Sequence, residues 1–489
     1  MPQITRRRFL EDSLMAATAA LVGGDGMGTA LAQEGAARVK TAGPNDQIRI
    51  AVIGVHGRGM AHVGGYLAQK DAVVAAICDV DLNVAGKAAK TVEDRSGKKP
   101  KIYQDLRKLY EDKEIDAVSM ALPIHWHALA SIWAMQAGKD VYVEKPVSHN
   151  VTEGRRMVEA ARKFERICQA GTQSRSSPAV RDAIAHIHAG KIGRVFLARG
   201  LCYKTRGSIG IKPDGPVPAG VDYNIWLGPA PERPFNPNRF HATGYGTWHW
   251  FWDYGSGDLG NQGIHQMDIA RWALNKDQLP KSVLSMGGRF GYEDQGETPN
   301  TQLSFYDYDD AQLIFEVRGL KTSALQDVKI GDIIYGDNGY VAFTSNYGKA
   351  AAFDNDGKMV QEFKGDGNHF RNYLDAIRSR KAEDLHAPIA EGSLSSDLCH
   401  LGNISYRLGS PAPFSLKSKR FAEDKAAAET FARFTQHLAD NGVKAEEATY
   451  RLGRALTIDA QNENFGQDTE ANALLTRAYR APFIVPEHL

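Results

Sequence analysis

Cysteine is scarce, with four residues among 489. That is too few for a disulfide scaffold, and none falls in a Cys-x-x-Cys pair or a Cys/His cluster of zinc-ligand spacing, so no metal site is expected. Long apolar runs are missing too. None approaches the roughly 18 residues that a spanning helix needs, so no stable membrane span is expected of the mature chain. There is no excess of one charge: Lys+Arg 59 balances Asp+Glu 58 for a net +1, which leaves no basic field for nucleic acid. A hydrophobic content of 43% with 24% charged residues excludes a disordered or collagen-like chain. Internal repeats are absent as well. What remains is a soluble globular protein of two or three domains.

The N-terminus reads as a targeting segment. Arg6-Arg7-Arg8-Phe9-Leu10 precedes a short apolar run at residues 14–22 and then Ala30-Leu31-Ala32. Basic region, apolar region and small-x-small site are the three parts of an export signal, with cleavage expected after Ala32. The adjacent arginines resemble the twin-arginine variant, which carries proteins across already folded. That implies the twin-arginine export machinery as a partner and a periplasmic or otherwise exported location. Residues 33–47 read as a linker. Cys78, Cys168 and Cys202 sit in strand-like runs and Cys399 in a helical one, so all four read as buried thiols.

The mature chain changes character near residue 190. Up to about residue 172, short apolar runs (Ile48–Ile53, Ala72–Cys78, 117–122, 141–143 and 167–170) alternate with helical patterns. Near-continuous apolar strands separated by helices indicate a parallel sheet covered on both faces. One helix is plain in Leu129, Ile132, Trp133 and Gln136-Ala137, closed by Gly138. After Arg194 the runs 195–203, 283–290, 302–308 and 311–317 predict strands, with turns at Asp337-Asn338-Gly339 and Asp354-Asn355-Asp356-Gly357. The fold class is therefore α/β plus α+β. A dinucleotide-binding domain over 48–190 is followed by a domain over 191–489 with a largely antiparallel sheet. Residues 206–247 hold seven of the 20 prolines and read as a long ordered loop. Residues 420–440 read as an amphipathic helix packed on the outside.

The first chemical signal is the first βα turn. Ile50-Ala51-Val52-Ile53 runs into Gly54-Val55-His56-Gly57-Arg58-Gly59. A dinucleotide fold needs glycine here for the tight turn, for close approach of the pyrophosphate and for helix–strand packing. His56 stands where the middle glycine is usual, with Gly57 after it, so the string alone could be a simple glycine-rich turn. Asp79 tips the balance. It ends the second strand, 20 residues after Gly59, where an acid binds the ribose hydroxyls and repels a 2′-phosphate. The expected cofactor is NAD, held by Gly54, Gly57, Arg58, Gly59 and Asp79.

Two further stretches narrow the reading: Leu122-Pro123-Ile124-His125-Trp126-His127, and Ala137-Gly138-Lys139-Asp140-Val141-Tyr142-Val143-Glu144-Lys145-Pro146. They resemble the Gfo/Idh/MocA oxidoreductases, the relatives of glucose–fructose oxidoreductase and inositol dehydrogenase. The resemblance spans 48–190 and recurs at 257–268. It implies a Rossmann domain joined to an open-faced sheet domain, sugar or polyol chemistry between them, and a homo-oligomer paired through that open face. It further implies that Lys145 lies near the nicotinamide and the reacting hydroxyl. Beside a desolvated cationic ring such a lysine loses basicity and becomes a proton relay; the alternative is a solvated lysine ending a strand. The family's second motif, an Asp followed four residues later by His, falls on Asn261 and His265. Residues four apart share a helix face, so the two could address one hydroxyl, with His265 kept neutral near a helix N-terminus. Asparagine, however, cannot supply the negative charge that steadies an imidazolium, and His265 could instead be structural. Pro123, Glu144 and Gln173 fall at positions expected to touch the cofactor, with Arg175 beside the last. Of His125, Trp126 and His127, one is expected to touch it, a capping or core role being equally open to the other two.

Trp248-His249-Trp250-Phe251-Trp252 concentrates three of the seven tryptophans. Strand alternation would send Trp248, Trp250 and Trp252 to one side, either into a sugar-stacking pocket or into a core. Tyr203, ending the first strand of the second domain, is another pocket candidate. Arg233, Asn236, Asn238, Arg239 and His241 could form a polar lid or remain solvated loop residues.

Export and NAD together constrain the chemistry. An exported enzyme cannot draw on the cytoplasmic nicotinamide pool, so the cofactor must be loaded before crossing and regenerated in place. A second sugar, a redox partner, or the substrate itself after an oxidation-assisted step could close the cycle. The last case is the NAD-dependent glycosidase route, in which oxidation at C3 acidifies the C2 proton, elimination expels the anomeric group, water adds and the carbonyl is reduced. The leading expectation is an NAD-retaining oxidoreductase acting on a secondary hydroxyl, with Lys145 and His265 handling the proton and Asn261 orienting it. The glycosidase is the alternative, and a non-catalytic carbohydrate-binding protein is the reading from another class.

Overall fold

The structure, a computed structural model, describes residues 46–240, 247–415 and 418–489. The expected export signal at 1–32, the linker up to residue 45 and His241 lie outside the described residues.

Six strands, β1 (Ile48–Ile53), β2 (Ala72–Cys78), β3 (Lys101–Tyr103), β4 (Ala117–Met120), β5 (Asp140–Val143) and β6 (Cys168–Ala170), form a sheet in the order β3-β2-β1-β4-β5-β6. Every pairing in it is parallel. The central strands are buried on both faces, which is why they read as unbroken apolar runs. Helices α1 (Arg58–Leu67) and α2 (Leu82–Ser96) cover one face, while α3 (Leu106–Glu111), α4 (Ile124–Gln136) and α5 (Val151–Lys163) cover the other. Local chemistry sets their ends. Asp81, Asp105 and Asn150 cap α2, α3 and α5 by accepting from the backbone N–H groups of Asn83, Arg107 and Glu153. The edge strand β3 carries no sequence signal, because its Lys-Ile-Tyr is short and half in solvent.

The second sheet contains β7 (Val195–Cys202), β8 (Ser282–Gly288), β9 (Thr301–Asp307), β10 (Gln312–Arg318), β11 (Ile330–Gly336), β12 (Gly339–Thr344), β13 (Lys349–Phe353), β14 (Met359–Lys364), β15 (Ser410–Pro413), β16 (Thr449–Leu452) and β17 (Leu456–Thr457). The order is β14-β13-β12-β11-β7-β10-β9-β8-β16-β15, with β17 beside β8, and only β7 and β10 run parallel. The inner face packs on α6 (Pro178–His188), α9 (Gly263–Ala273) and α11 (Ile389–Arg407). The preceding short helices are α7 (Tyr223–Leu227), inside the proline-rich loop, and α8 (Gly257–Asn261). Helix α10 (His369–Ser379) returns to the first sheet, laying Phe370, Tyr373 and Leu374 against Val63, Tyr66 and Val74.

The outer face is covered by the chain itself. Helix α12 (Lys425–Asp440), capped by Asp424 through the Ala427 N–H, buries Ala427, Phe431, Phe434 and Leu438 at helical spacing. They pack on Leu284, Met286, Leu303, Phe305 and Ile314, with Phe414 and Tyr450 filling the flank. Under α12 lies a buried ionic cluster. Glu316 accepts from the Tyr203 hydroxyl at 2.7 Å, from Arg318 at 3.0 Å and from Arg199 at 3.4 Å, and also pairs with Arg433 of α12. The part of the face over β8, β9 and β10 is therefore not open to the pairing expected of this sheet unless α12 is displaced. Replacing Phe434 by Ala should cost about 3–5 kcal/mol, the usual range for emptying a buried phenylalanine site. A lower urea midpoint, with nucleotide binding kept, is the expected result, because no residue of the helix lines the cavity beyond the strand ends of the first sheet.

Candidate active site

In an open parallel sheet the ligand crevice lies beyond the carboxyl ends of the strands, where the strand order reverses. Here the reversal falls between β1 and β4, and a cavity of about 600 Å³ opens there. Its first wall comes from the strand ends: Gly54 after β1, Asp79 after β2, Pro123 after β4, Glu144 and Lys145 after β5, and Gln173 after β6. Its second wall comes from the second sheet and the helices beneath it, with Lys204, Arg206, Trp248, His249, Asn261, Gln262 and His265.

The turn into α1 is sterically specified. Gly54 has φ +79°, and a Cβ there would lie 2.6 Å from the Ala121 carbonyl oxygen; one on Gly59 would lie 1.9 Å from the Gly54 oxygen. At Gly57 a Cβ would meet no protein atom within 4 Å. Gly57 also caps α1 without any side-chain hydrogen bond, so the helix N–H groups are left for a ligand. Asp79 braces the turn: one oxygen accepts from the Val55 N–H at 2.8 Å, the other from the Asp81 N–H at 3.0 Å. Each oxygen keeps a further lone pair, and burial raises the carboxyl's pKa. An open glycine cradle before an uncapped helix, with a carboxylate at the next strand end, fits NAD.

Glu144 is the electrostatic hub. It is buried and accepts from Arg58 at 2.8 Å, His62 at 3.1 Å and Gln173 at 3.1 Å. Burial alone would favour the neutral acid, but the Arg58 charge and the His62 hydrogen bond hold it well below the usual carboxylate range. His62 was not legible from the sequence, being one turn beyond Arg58 with no motif around it. Its tautomer follows from the network: Tyr66 donates to Ser119, Ser119 to His62 Nδ1, and His62 Nε2–H to Glu144.

Lys145 Nζ donates to the backbone carbonyl of Asn261 at 2.7 Å, and burial lowers its pKa to about 8. His265 is the third residue of α9; burial and then the Lys145 charge hold its imidazole well below its ordinary value. Its Nδ1 is buried without a hydrogen-bond partner among the described residues. Asn261 ends α8 and is separated from α9 by Gln262, so it and His265 sit on two short helices rather than one. The Asn261 side chain lies 3.5 Å from Asp258, and it is the main-chain oxygen that reaches Lys145. Lys145, Asn261 and His265 are nonetheless brought to one cavity.

Other expected site residues fall elsewhere. His125 is buried off the cavity, its Nε2 3.0 Å from the Trp226 carbonyl oxygen. Trp126 and His127 do line it. Trp126 donates to the Ile225 carbonyl at 2.9 Å, and His127 lies 2.6 Å from the Pro146 oxygen and 2.8 Å from the Leu122 oxygen. The tryptophan cluster is no strand. Thr247–Trp250 turns as a 3₁₀ helix, so alternation does not hold and Trp248 alone of the three lines the cavity. Trp250 lies under the Arg206 guanidinium at 5.2 Å, and Trp252 under that of Arg407 at 5.4 Å. Tyr203 points to the opposite face of its sheet, onto Glu316. Arg175 is locked to Asp268 by three hydrogen bonds. The expected lid residues tie the loop together instead. Arg233 pairs with Asp253 and Glu297, Asn236 and Arg239 with Asp214, and Asn238 with Gln295.

The turn yields a paired prediction. Gly59→Ala drives a methyl into the Gly54 carbonyl and should lower the urea midpoint. Gly57→Ala meets no protein atom, so the midpoint should hold while retained nucleotide, read by absorbance and mass, is lost. Equal behaviour of the two variants would contradict the assignment of Gly57 to the phosphate cradle.

Comparison with known proteins agrees with this architecture. A family model described as "Oxidoreductase family, NAD-binding Rossmann fold" matches residues 48–172, and its companion, "Oxidoreductase family, C-terminal alpha/beta domain", matches 201–439. Among curated proteins, a glycosyl hydrolase family 109 protein of Saccharopolyspora erythraea is 30% identical over 161 residues, 32% of this chain and 35% of that one. One from Shewanella baltica is 32% identical over 180 residues, 34% of this chain and 39% of that one. The matched region thus spans little more than a third of these relatives' length. Among solved structures, the WlbA dehydrogenase of Bordetella pertussis in complex with NADH and UDP-GlcNAcA superposes with a TM-score of 0.53 at 18% identity, covering 73% of this chain and 96% of that one. Levoglucosan dehydrogenase in complex with NADH and levoglucosan does so with 0.54 at 18%, covering 73% and 97%. With both of its halves matched and the nucleotide cradle in place, the chain belongs to the Gfo/Idh/MocA family of NAD-binding oxidoreductases.

Proposed function

We propose that the protein is an exported oxidoreductase that keeps its NAD and oxidises a secondary hydroxyl of a sugar, polyol or glycoside. The observation that carries this reading is the meeting of Lys145, at a pKa of about 8, with the neutral His265 in the cavity that also holds the glycine cradle. When bound, NAD supplies the hydride acceptor. The residues supply the proton path. Lys145 as the free amine takes the hydroxyl proton, held in place by the Asn261 carbonyl, and His265 Nδ1 offers a second polar contact to the same hydroxyl. The basic, apolar and small-residue pattern of the first 32 residues supports export, and retention follows from the lack of an external nicotinamide pool.

A second reading, NAD-dependent glycoside hydrolysis by oxidation, elimination, addition and reduction, is favoured by the names of the curated relatives. Turnover of a candidate glycoside in deuterated water separates the two. Deuterium at C2 of the released sugar marks the hydrolase, and a keto-sugar without cleavage or exchange marks the oxidoreductase. Binding without turnover of any kind would instead favour a carbohydrate-binding protein.

Lys145→Met should keep folding and nucleotide while turnover falls by about 10²–10⁴-fold, the usual contribution of a general acid–base group. Because the amine is the active form, the wild-type rate should rise as pH passes through about 8, and this inflection should vanish in the variant. Asn261→Asp leaves the main-chain carbonyl in place but adds a negative charge, next to Asp258, to the cavity that holds Lys145, so it should move the inflection to higher pH. A profile flat across this range in the wild type would place the proton acceptor elsewhere.

A further inference from the structure

We infer that the substrate carries a carboxylate, as a sugar acid or its glycoside does, and that Lys204 is the residue that binds it. This rests on the carbohydrate reading above and deepens it. Four cationic side chains line the cavity, and two are already paired: Arg58 with Glu144 at 2.8 Å, and Arg206 with both oxygens of Asp258 at 2.7 Å. The other two are lysines without a carboxylate within 4.0 Å among the described residues. Lys145 contacts the Asn261 carbonyl at 2.7 Å, and Lys204 contacts the Gln262 side-chain oxygen at 3.4 Å. Both partners are neutral.

Two lysine side chains therefore share the substrate end of the cavity with neutral oxygens as their direct contacts, and the acids that act on them, Glu144 and Asp258, do so without touching either. Burial lowers the pKa of both and outweighs the rest: Glu144 opposes it and Arg58 adds to it at Lys145, while Arg206 adds to it and Asp258 opposes it at Lys204. A cation withdrawn from water is stabilised by an anion placed against it, and a ligand can bring that anion. The nucleotide's phosphates have their own donors in the Gly54–Gly59 turn. Lys145 is engaged in moving the hydroxyl proton. Lys204, on the opposite wall with Gln262 and His265, is left for the substrate. The anion is assigned as a carboxylate and not a phosphate because this wall offers a single point charge. The one guanidinium fork nearby, Arg206, is committed to Asp258, and phosphate sites draw on such forks or on clustered N–H groups.

The test uses the purified protein with its retained nucleotide, titrated calorimetrically with glucuronate, galacturonate and mannuronate, with the matching hexoses, and with glucose 6-phosphate. The same panel is then assayed for turnover. The best uronate should bind about ten-fold or more tightly than its neutral hexose, the size of one charge-assisted hydrogen bond. Lys204→Gln should erase that ratio and Lys204→Arg should keep most of it. Equal or better binding of the hexose, a ratio unchanged in Lys204→Gln, or a preference for the phosphate ester would each overturn the inference. Turnover of neutral sugars with no uronate preference would sink it while leaving the oxidoreductase reading intact, whereas failure to bind or turn over any sugar would sink both.

Discussion

A carboxylate taken out of water must be paired, and the pairing of Glu144 organises the site. Its three partners come from two places in the first domain: Arg58 and His62 from α1, and Gln173 from beyond β6. Satisfying one buried charge therefore fixes how the phosphate-binding helix sits against the ends of β5 and β6. The chain from Tyr66 through Ser119 to His62 extends that restraint to β4. Lys145, next in sequence, is thereby presented to the cavity in one orientation and meets the Asn261 carbonyl. Breaking a buried pair by removing one partner commonly costs several kcal/mol, because the remaining charge is stranded. Lys145 thus depends on the acid beside it for its position.

The second sheet solves a different problem. A broad sheet with one face on the first domain leaves the other apolar face to be covered. The family resemblance implies pairing through that face, and over β8, β9 and β10 α12 covers it in cis with Phe431, Phe434 and Leu438. The ionic cluster under the helix, centred on Glu316, adds direction to what would otherwise be a greasy contact. Arg433 comes from the helix while Arg199, Arg318 and Tyr203 come from the strands. A buried network of this kind tolerates few alternative placements of α12, since sliding the helix would leave Glu316 short of a partner.

What was legible in the sequence follows the range of the forces involved. Apolar runs, caps and the glycine turn act over a few residues, so β1, β2, β4, β5, the α4 helix and the Gly54–Gly59 turn could be read directly. The Glu144-Lys145-Pro146 and Asn261–His265 stretches were legible as motifs. Spacing failed where two periods compete: Trp248, Trp250 and Trp252 alternate as a strand would, but Thr247–Trp250 closes as a 3₁₀ turn. For Tyr203, alternation established that it shares a face with Arg199, and nothing local said which face looks into the cavity. Lys204 and Arg206 were missed because a Lys-Thr-Arg after a strand is indistinguishable from a solvated loop. Only the fold brings them opposite Lys145.

The distribution of charge around the cavity explains why asparagine can stand at position 261. A carboxylate there would add a second negative charge 3.5 Å from Asp258, in the same cavity as Lys145 and His265. At the nucleotide end Arg58 pairs directly with Glu144, while at the substrate end Lys145 and Lys204 have neutral oxygens as their direct contacts and Asp258 and Glu144 act on them without touching. Positive potential fixed in a partly dry site favours whatever negative charge develops there, and it costs no reorganisation when that charge appears. The charge that develops during oxidation of a hydroxyl is on its oxygen, as the proton leaves. Burial brings the pKa of Lys145 to about 8, the range in which one amine can give and take a proton near neutral pH.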